Sequence, residues 1–290
     1  MSTESPNVID GRKAAAAIKE NVKAAIDLIV EKGRPRPHLS VIRVGDDPAS
    51  GVYIAHKQHA CNKVGIESSV FHLSAETSAG DLLALIQRLN KDSAVHGILL
   101  QLPLPANLRK EQFLSQIDAR KDVDGLGPEN TWALMQNIKG IYPCTPKGVI
   151  QLVEQTILDL RGKKVTVVGT SNLVGMPVAA LLSRKGMTVT MCNSKTRNLA
   201  AECAEADLVV CATGVPRLVK GEWLKPGAAV VDVGISRLTE GEDVLLVGDF
   251  DADSRTDHLS ALTPVPGGVG PMTVANLLEN TLMAYELQKA

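Results

Sequence analysis

Aromatic residues are scarce: 2 Trp, 3 Tyr and 3 Phe make up 3% of 290 residues. A surface that stacks bases or sugars on aromatic platforms is therefore not expected. An excess of one charge sign is also missing, because 31 Lys and Arg stand against 32 Asp and Glu for a net charge of -1. The two signs are interspersed, which leaves no basic field to hold nucleic acid or an anionic membrane. No uninterrupted apolar run reaches the ~18–20 residues needed to span a bilayer, and the opening residues do not read as a charged-then-apolar leader. The 5 cysteines, Cys61, Cys144, Cys192, Cys203 and Cys211, are odd in number and never form a Cys-x-x-Cys pair. That pattern argues against a disulfide framework or a zinc knuckle. Together these absences predict a soluble protein of a reducing cytoplasm that works on small molecules without a metal.

A hydrophobic content of 44% over this length suffices for two medium domains, each with its own core. The stretch from Ala49 to Ala60 stands out, because Tyr53 and Lys57 lie four residues apart and project from one face of a predicted helix. An isolated Tyr-x-x-x-Lys is more often a surface lysine lying along a half-buried tyrosine. Its significance therefore depends on what surrounds it.

After Asp10, a plausible N-cap, residues 11–31 place Ile18, Val22, Ala25 and Ile29 on one stripe, as an amphipathic helix requires. Residues 38–44 read as a buried strand, and Gly45 to Pro48 lead into the Tyr53–Lys57 helix, which Gly65 closes. A strand over 66–73, a helix over 81–89 with Leu82, Leu85, Ile86 and Leu89 inward, and a strand over 96–102 complete an α/β alternation. Ligands of such units gather beyond the carboxyl ends of the parallel strands. Pro103 and Pro105 cannot donate to a ladder, so they end the strand and leave Gln101 at its lip, as a site residue or as an edge residue bonded to backbone. In Lys121-Asp122-Val123-Asp124-Gly125-Leu126 one aspartate suits an Asx turn, and two in one loop favour the other meeting a ligand. Thr145 is placed to cap a helix beginning at Pro146, at a hinge.

From Gly162 the pattern restarts. Residues 164–168 are a buried strand, and Gly169 to Pro177 form a glycine-bearing turn into a helix, the geometry that aims backbone N–H groups at a phosphate. The spacing is not Gly-x-Gly-x-x-Gly, but strands over 188–192, 207–211 and 229–233 follow with βαβ spacing. The pattern predicts a doubly wound nucleotide-binding domain. Residues 263–273 are too dense in glycine and proline for a regular element and read as a rigid turn before a last helix, whose Val274, Leu277, Leu278 and Leu282 pack inward. Glycine at three of four positions also lets backbone approach a bound ring.

Six motifs in this order resemble the bifunctional methylenetetrahydrofolate dehydrogenase/cyclohydrolase family across essentially the whole chain. They are Tyr53 to Lys57, Gln101 to Pro105, Lys121 to Leu126, Pro143 to Pro146, the Gly169 to Pro177 turn, and Pro264 to Thr273. The resemblance implies oxidation of 5,10-methylenetetrahydrofolate with NADP, followed by hydrolysis of the methenyl product to 10-formyltetrahydrofolate. It implies two α/β domains with a cleft between them, in a homodimer. Residues 1–145, joined by a C-terminal helix over 272–290, would hold folate, and residues 146–271 would form the Rossmann-type domain. Carried over by position, Lys57 matches the catalytic lysine, Tyr53 the aromatic over the folate ring, Gln101 the residue that positions the lysine, and Asp124 the carboxylate on the pterin. Leu100, Leu102 and Pro266, Gly267, Gly268, Val269 and Gly270 would line the folate side. Gly169, Thr170, Ser171, Ser194 and Ile235 would meet the dinucleotide. These roles are chemically coherent: an ammonium beside a cationic methenyl carbon is repelled, which lowers its pKa and suits it to proton transfer.

This chain departs from the family's usual residues at Thr170, where arginine is frequent, at Asn193, where histidine is common, and at Gly127 and Trp132. The first two bear on the adenosine ribose. No acid stands at the end of the second strand of this domain, where NAD-selective domains place one, while Ser194, Lys195 and Arg197 are at hand for a 2′-phosphate. NADP is therefore expected over NAD, by a margin that Thr170 narrows. Two other functions fit the same fold: a dehydrogenase without hydrolysis, and a silent nucleotide- or folate-sensing protein. The intact Tyr53, Lys57, Gln101 and Asp124 set speaks against the sensor.

Overall fold

In the computed structural model, which describes residues 6–157, 159–240 and 243–289, helices and strands alternate through most of the chain. In order they are β1 (Asn7–Val8), α1 (Gly11–Glu31), β2 (His38–Val44), α2 (Pro48–Val64), β3 (Glu67–Leu73), α3 (Ala79–Lys91) and β4 (Gly97–Leu100), then α4 (Lys110–Leu114), α5 (Pro128–Gln136) and α6 (Cys144–Thr156). There follow β5 (Lys164–Val168), α7 (Gly175–Arg184), β6 (Thr188–Cys192), α8 (Leu199–Ala204), β7 (Leu208–Cys211), β8 (Val219–Lys220) and β9 (Ala229–Asp232). The chain ends with β10 (Ser236–Glu240), β11 (Asp243–Val247), β12 (Phe250–Asp251), β13 (Ala261–Leu262) and α9 (Val269–Leu287). Two compact units result: Ala16–Cys144 with Val274–Ala290, and Met1–Ala15 with Thr145–Thr273.

The first of these units holds a parallel sheet in the order β3-β2-β4. Its central strand β2 is covered on both faces, as parallel strands are. Leu39 and Val41 join Val22, Ile26, Leu277, Leu278 and Leu282 in one core. Ile42 and Val44, on the opposite face, join Leu82, Leu85, Ile86, Leu89 and Phe113 in another. Sliding β2 by one residue would exchange these two sets, so the two cores fix its register. Helix α2 is bounded by its own sequence. The Asp47 side chain accepts from the Ser50 N–H at 2.7 Å, Pro48 occupies the first turn, and Gly65 takes the left-handed conformation at φ 85°. Strand β4 closes at Leu100, two residues before the predicted end, although the Gln101 N–H still bonds the Ile42 carbonyl at 2.9 Å.

The second unit holds a six-stranded sheet in the order β1-β13-β9-β7-β5-β6, parallel throughout. Strands β7 and β9 are buried at every position. Three features differ from the sequence expectation. Residues 6–15 belong here rather than with the first unit, because Asn7 and Val8 pair with Ala261 and Leu262 of β13; residues 1–5 and Ala290, at the ends of the expected domains, lie outside the described residues. Helix α6 begins at Cys144, so Thr145 is not its cap, and the Thr145 hydroxyl instead meets the Thr273 hydroxyl at 2.8 Å. Helix α9 begins at Val269, inside the stretch read as a turn, since Pro271 falls in a first turn that needs no N–H from it. The antiparallel hairpin β10–β11 was not legible beforehand. No helix among the described residues is long and apolar enough to cross a membrane.

Candidate active site

Two motifs of the first unit meet at the carboxyl ends of β2 and β4. The Lys57 Nζ donates to the Gln101 Oε1 at 3.0 Å, across 44 positions of sequence. Gln101 is itself oriented, because its Nε2 donates to the Leu102 carbonyl at 2.7 Å, so the oxygen is the atom left for the lysine. Lys57 is half-buried. Tyr53, one turn earlier on α2, is 45% exposed, which leaves an aromatic face open beside the amine. One turn later the Cys61 thiol is pushed up to about 12 by burial, partly offset by the Lys57 charge, so it is no competing nucleophile. Leu100, expected on the folate side, is buried in the apolar core, because strand alternation turns it away from the face of Gln101. It offers a ligand only its backbone. Leu102 is half-buried and joined to Pro103 by a cis peptide bond.

Asp124 is delivered by a loop that bridges to β4 at Ile98 and Asp122. Asp122 is the structural aspartate of the pair. Its carboxylate accepts from the Gly125 N–H at 3.1 Å, the Gly127 N–H at 2.7 Å and the Asn130 Nδ2 at 3.1 Å. Burial pushes its pKa up to about 6 despite these donors, and the nearby Asp124 charge adds to the rise. Asn280 of α9 holds the same loop from its other side, donating to the Val123 and Tyr142 carbonyls at 2.9 Å each. Lys121 turns away, its ammonium bonded to the carbonyls of Leu89 and Asp92 at 3.0 and 2.7 Å. Asp124 alone keeps a half-buried carboxylate that takes no hydrogen bond among the described residues. Asn130 and Asn280 were missed as site-building residues; for Asp122 the sequence offered only that one of the two aspartates suits an Asx turn, without saying which.

The second unit carries the glycine turn between β5 and α7. Gly169 has φ 119°, and a side chain there would run into the Ala212 carbonyl; one on Gly175 would run into the Gly169 carbonyl. Bare backbone is therefore required at both positions, but the Met176 N–H at the start of α7 is taken by the Ser171 carbonyl at 3.0 Å and Pro177 has none, so this helix start offers an anion less than the sequence pattern suggests. Ser171 is exposed and Thr170 half-buried. After β6, Asn193 organises a tight turn: its N–H bonds the Thr196 hydroxyl at 3.0 Å and its Oδ1 accepts from the Lys195 N–H at 2.9 Å. Ser194, Lys195 and Arg197 stand exposed on it, with no acid among them. Ile235, beyond β9, is 48% exposed. These residues fit a dinucleotide.

Pro266 to Gly270 fall in this second unit. The Val265–Pro266 bond is cis, Gly267 has φ 121°, and the Gly268 N–H returns to the Pro264 carbonyl at 2.8 Å. Gly267, Gly268 and Val269 are buried and Pro266 and Gly270 exposed. Gly11 packs against the Gly268 carbonyl so closely that no side chain would fit. The density of glycine thus serves backbone packing at least as much as any ligand.

A glycine turn on a doubly wound sheet, with a separate α/β unit presenting a helix-borne lysine to a glutamine, defines an α/β enzyme of the dinucleotide-dependent kind. Residues 9–124 match the tetrahydrofolate dehydrogenase/cyclohydrolase catalytic domain, and residues 143–289 the NAD(P)-binding domain of the same family. The chain is 49% identical over 284 residues to the bifunctional protein FolD 2 of Ectopseudomonas mendocina, covering 98% of this chain and 93% of that one. The crystal structure of the bifunctional FolD methylenetetrahydrofolate dehydrogenase/cyclohydrolase of Campylobacter jejuni superimposes with a TM-score of 0.94 at 43% identity, over 98% and 99% of the two chains. That of the Trypanosoma brucei enzyme, complexed with NADP cofactor and inhibitor, gives 0.94 at 37% identity, over 98% of each. The chain belongs to the tetrahydrofolate dehydrogenase/cyclohydrolase family.

Proposed function

We propose that this chain oxidises 5,10-methylenetetrahydrofolate with NADP and hydrolyses the resulting methenyl compound to 10-formyltetrahydrofolate, with Lys57 as the proton-handling group of the hydrolysis. The observation that carries the assignment is the Lys57–Gln101 hydrogen bond of 3.0 Å beside an exposed Tyr53 ring. Tyr53 supplies a flat surface for the pterin. Asp124, with acceptor capacity unspent, takes the donor-rich aminopyrimidine edge through charge-assisted hydrogen bonds.

Bound NADP supplies the hydride acceptor, held by the Gly169–Ser171 turn, Ser194 and Ile235. Loss of hydride leaves a carbocation conjugated to two nitrogens. Water adds to that carbon, and its proton must leave as the C–O bond forms; the Lys57 Nζ receives it. The ammonium so formed donates to the Gln101 Oε1, which keeps the amine aimed while the proton passes on. The bond from that carbon to the other nitrogen then breaks as the added hydroxyl becomes the formyl carbonyl; the proton held by Lys57 goes to the departing nitrogen, the hydroxyl's own proton is released to water, and the N10-formyl product remains.

A homodimer accompanies this function in our proposal. The hairpin β10–β11 supports it by exposing Val244, Leu245 and Leu246 on one strand, more apolar surface than a two-stranded ribbon usually leaves in water. A reducing cytoplasm suits five buried cysteines.

A direct test mixes purified protein, methylenetetrahydrofolate and NADP in one cuvette. Reduced dinucleotide should accumulate, and methenyl absorbance should then decay faster than in buffer. Absence of the first signal would refute the dehydrogenase; a methenyl signal that decays at the buffer rate would refute the hydrolase.

A further inference from the structure

Two buried carboxylates in the second unit belong to none of the motifs above, and they tie together the loops that leave the carboxyl edge of its sheet. Asp249, 0% exposed, accepts at Oδ2 from the Thr213 N–H at 2.5 Å, the Thr213 hydroxyl at 2.9 Å and the Gly214 N–H at 2.9 Å. Asp232, 3% exposed at the end of β9, accepts from the Gly234 N–H at 2.9 Å, the Asp249 N–H at 3.1 Å and the Phe250 N–H at 2.8 Å. The Asp232 N–H reaches the Thr263 hydroxyl, beyond β13, at 2.7 Å. Since β9 lies between β13 and β7, these bonds run continuously across three adjacent strand ends.

The glycines nearby are shaped to the same purpose. A side chain on Gly234 would collide with the Asp249 carboxylate, and one on Gly248 with that of Asp232. No lysine, arginine or histidine pairs with either carboxylate among the described residues. Burying such groups without a cation is costly, and burial pushes Asp232 up to about 7. Apolar side chains would close these loops with less penalty. What carboxylates add is direction, because both oxygens of Asp232 and the Oδ2 of Asp249 fix the aim of particular backbone N–H groups, while the Asp249 Oδ1 is buried without a partner among the described residues.

The loop they aim lies under the glycine turn. Thr213 follows Ala212, whose carbonyl is the atom that any side chain on Gly169 would strike, and the Ala212 N–H bonds the Val168 carbonyl at 2.7 Å. Gly234 precedes Ile235. We propose that Asp249 and Asp232 are positioning residues for the dehydrogenase half-reaction, holding the loops after β7 and β9 so that the dinucleotide meets a preformed edge. This rests on the dinucleotide-dependent function proposed above.

The two activities provide the test, because hydrolysis of methenyltetrahydrofolate needs no dinucleotide. Asp249→Ala should raise the KM for NADP about ten-fold or more, while kcat/KM for methenyl hydrolysis stays within about two-fold of the parent. Asp249→Asn, which keeps one acceptor oxygen, should recover part of the loss. Thr213→Val, which keeps the side-chain shape and removes the hydroxyl that donates to Asp249 and accepts from the Val215 N–H, should raise the KM for NADP about two- to five-fold and decides the matter if Asp249→Ala does not fold. An unchanged KM for NADP in Thr213→Val, or a parallel fall of both activities in folded Asp249→Asn, would overturn the proposal. A parent protein lacking both activities would instead refute the function on which it rests.

Discussion

Asp122 and Asp124, separated by one residue, are in opposite situations: the first is 1% exposed and accepts three hydrogen bonds, while the second is half-buried and accepts none among the described residues. The first aspartate builds the loop and the second is presented by it. Their chemistry can therefore be separated by mutation.

For Asp122 the consequence is a pH-dependent stability. Its pKa in the fold, about 6, lies above the ordinary carboxylate value of 3.8. The folded state thus holds the proton more tightly than the unfolded chain, so this contribution is fully present below the unfolded value and is lost as pH rises through the folded one. Asp122→Asn cannot ionise. Its stability deficit against the parent should shrink by about 1–2 kcal/mol between about pH 5 and about pH 8. Urea unfolding at the two pH values measures this; a deficit independent of pH would contradict it.

For Asp124 the consequence is a selective loss of folate. Asp124→Ala should weaken binding of a folate analogue by about 1.5–3 kcal/mol, the worth of a charge-assisted hydrogen bond. Because its carboxylate supports nothing else in the loop, the affinity for NADP should hardly move. Calorimetric titration with each ligand separates the cases, and equal weakening of both would mean that the loop had unfolded.

Much of this architecture was legible in advance. The buried run of β5, the strand β6 and the stripe of α1 fall where sequence periodicity places them. So does the Lys57 helix, whose Asp47 and Gly65 ends are written in local chemistry. What escaped was long-range. Two residues such as Asn7 and Val8 carry no period of their own, and only their pairing with β13 makes them a strand. Asp232, inside the strand predicted over 229–233, and Asp249, beside Gly248, carry no signal of their own until folding brings Thr213, Gly214 and Phe250 to them. The Gly267–Gly268 pair was visible as a signal for close approach, but its neighbour is Gly11, some 250 positions away in sequence.

We propose that the turn after β6 governs the choice of dinucleotide. Exposed Ser194, Lys195 and Arg197 favour a 2′-phosphate, and Thr170 contributes one hydroxyl where a guanidinium would give a charged fork. The parent should prefer NADP over NAD in kcat/KM by a modest margin that narrows as salt screens the exposed cations. Thr170→Arg should widen it by tightening NADP alone. Comparing both cofactors at two ionic strengths checks this, and a clear NAD preference at low salt would contradict it.

The central claim is that the Lys57 amine, aimed by Gln101, handles the proton of hydrolysis. Lys57→Met keeps the length and packing of the side chain and removes the nitrogen, so the decisive measurement is the rate of methenyltetrahydrofolate hydrolysis by this variant, with binding of a folate analogue measured on the same sample. The rate should fall by about 10²–10⁴-fold, the usual contribution of a general acid–base group, while binding persists. Near-normal hydrolysis in a variant that still binds the analogue would remove Lys57 from the mechanism.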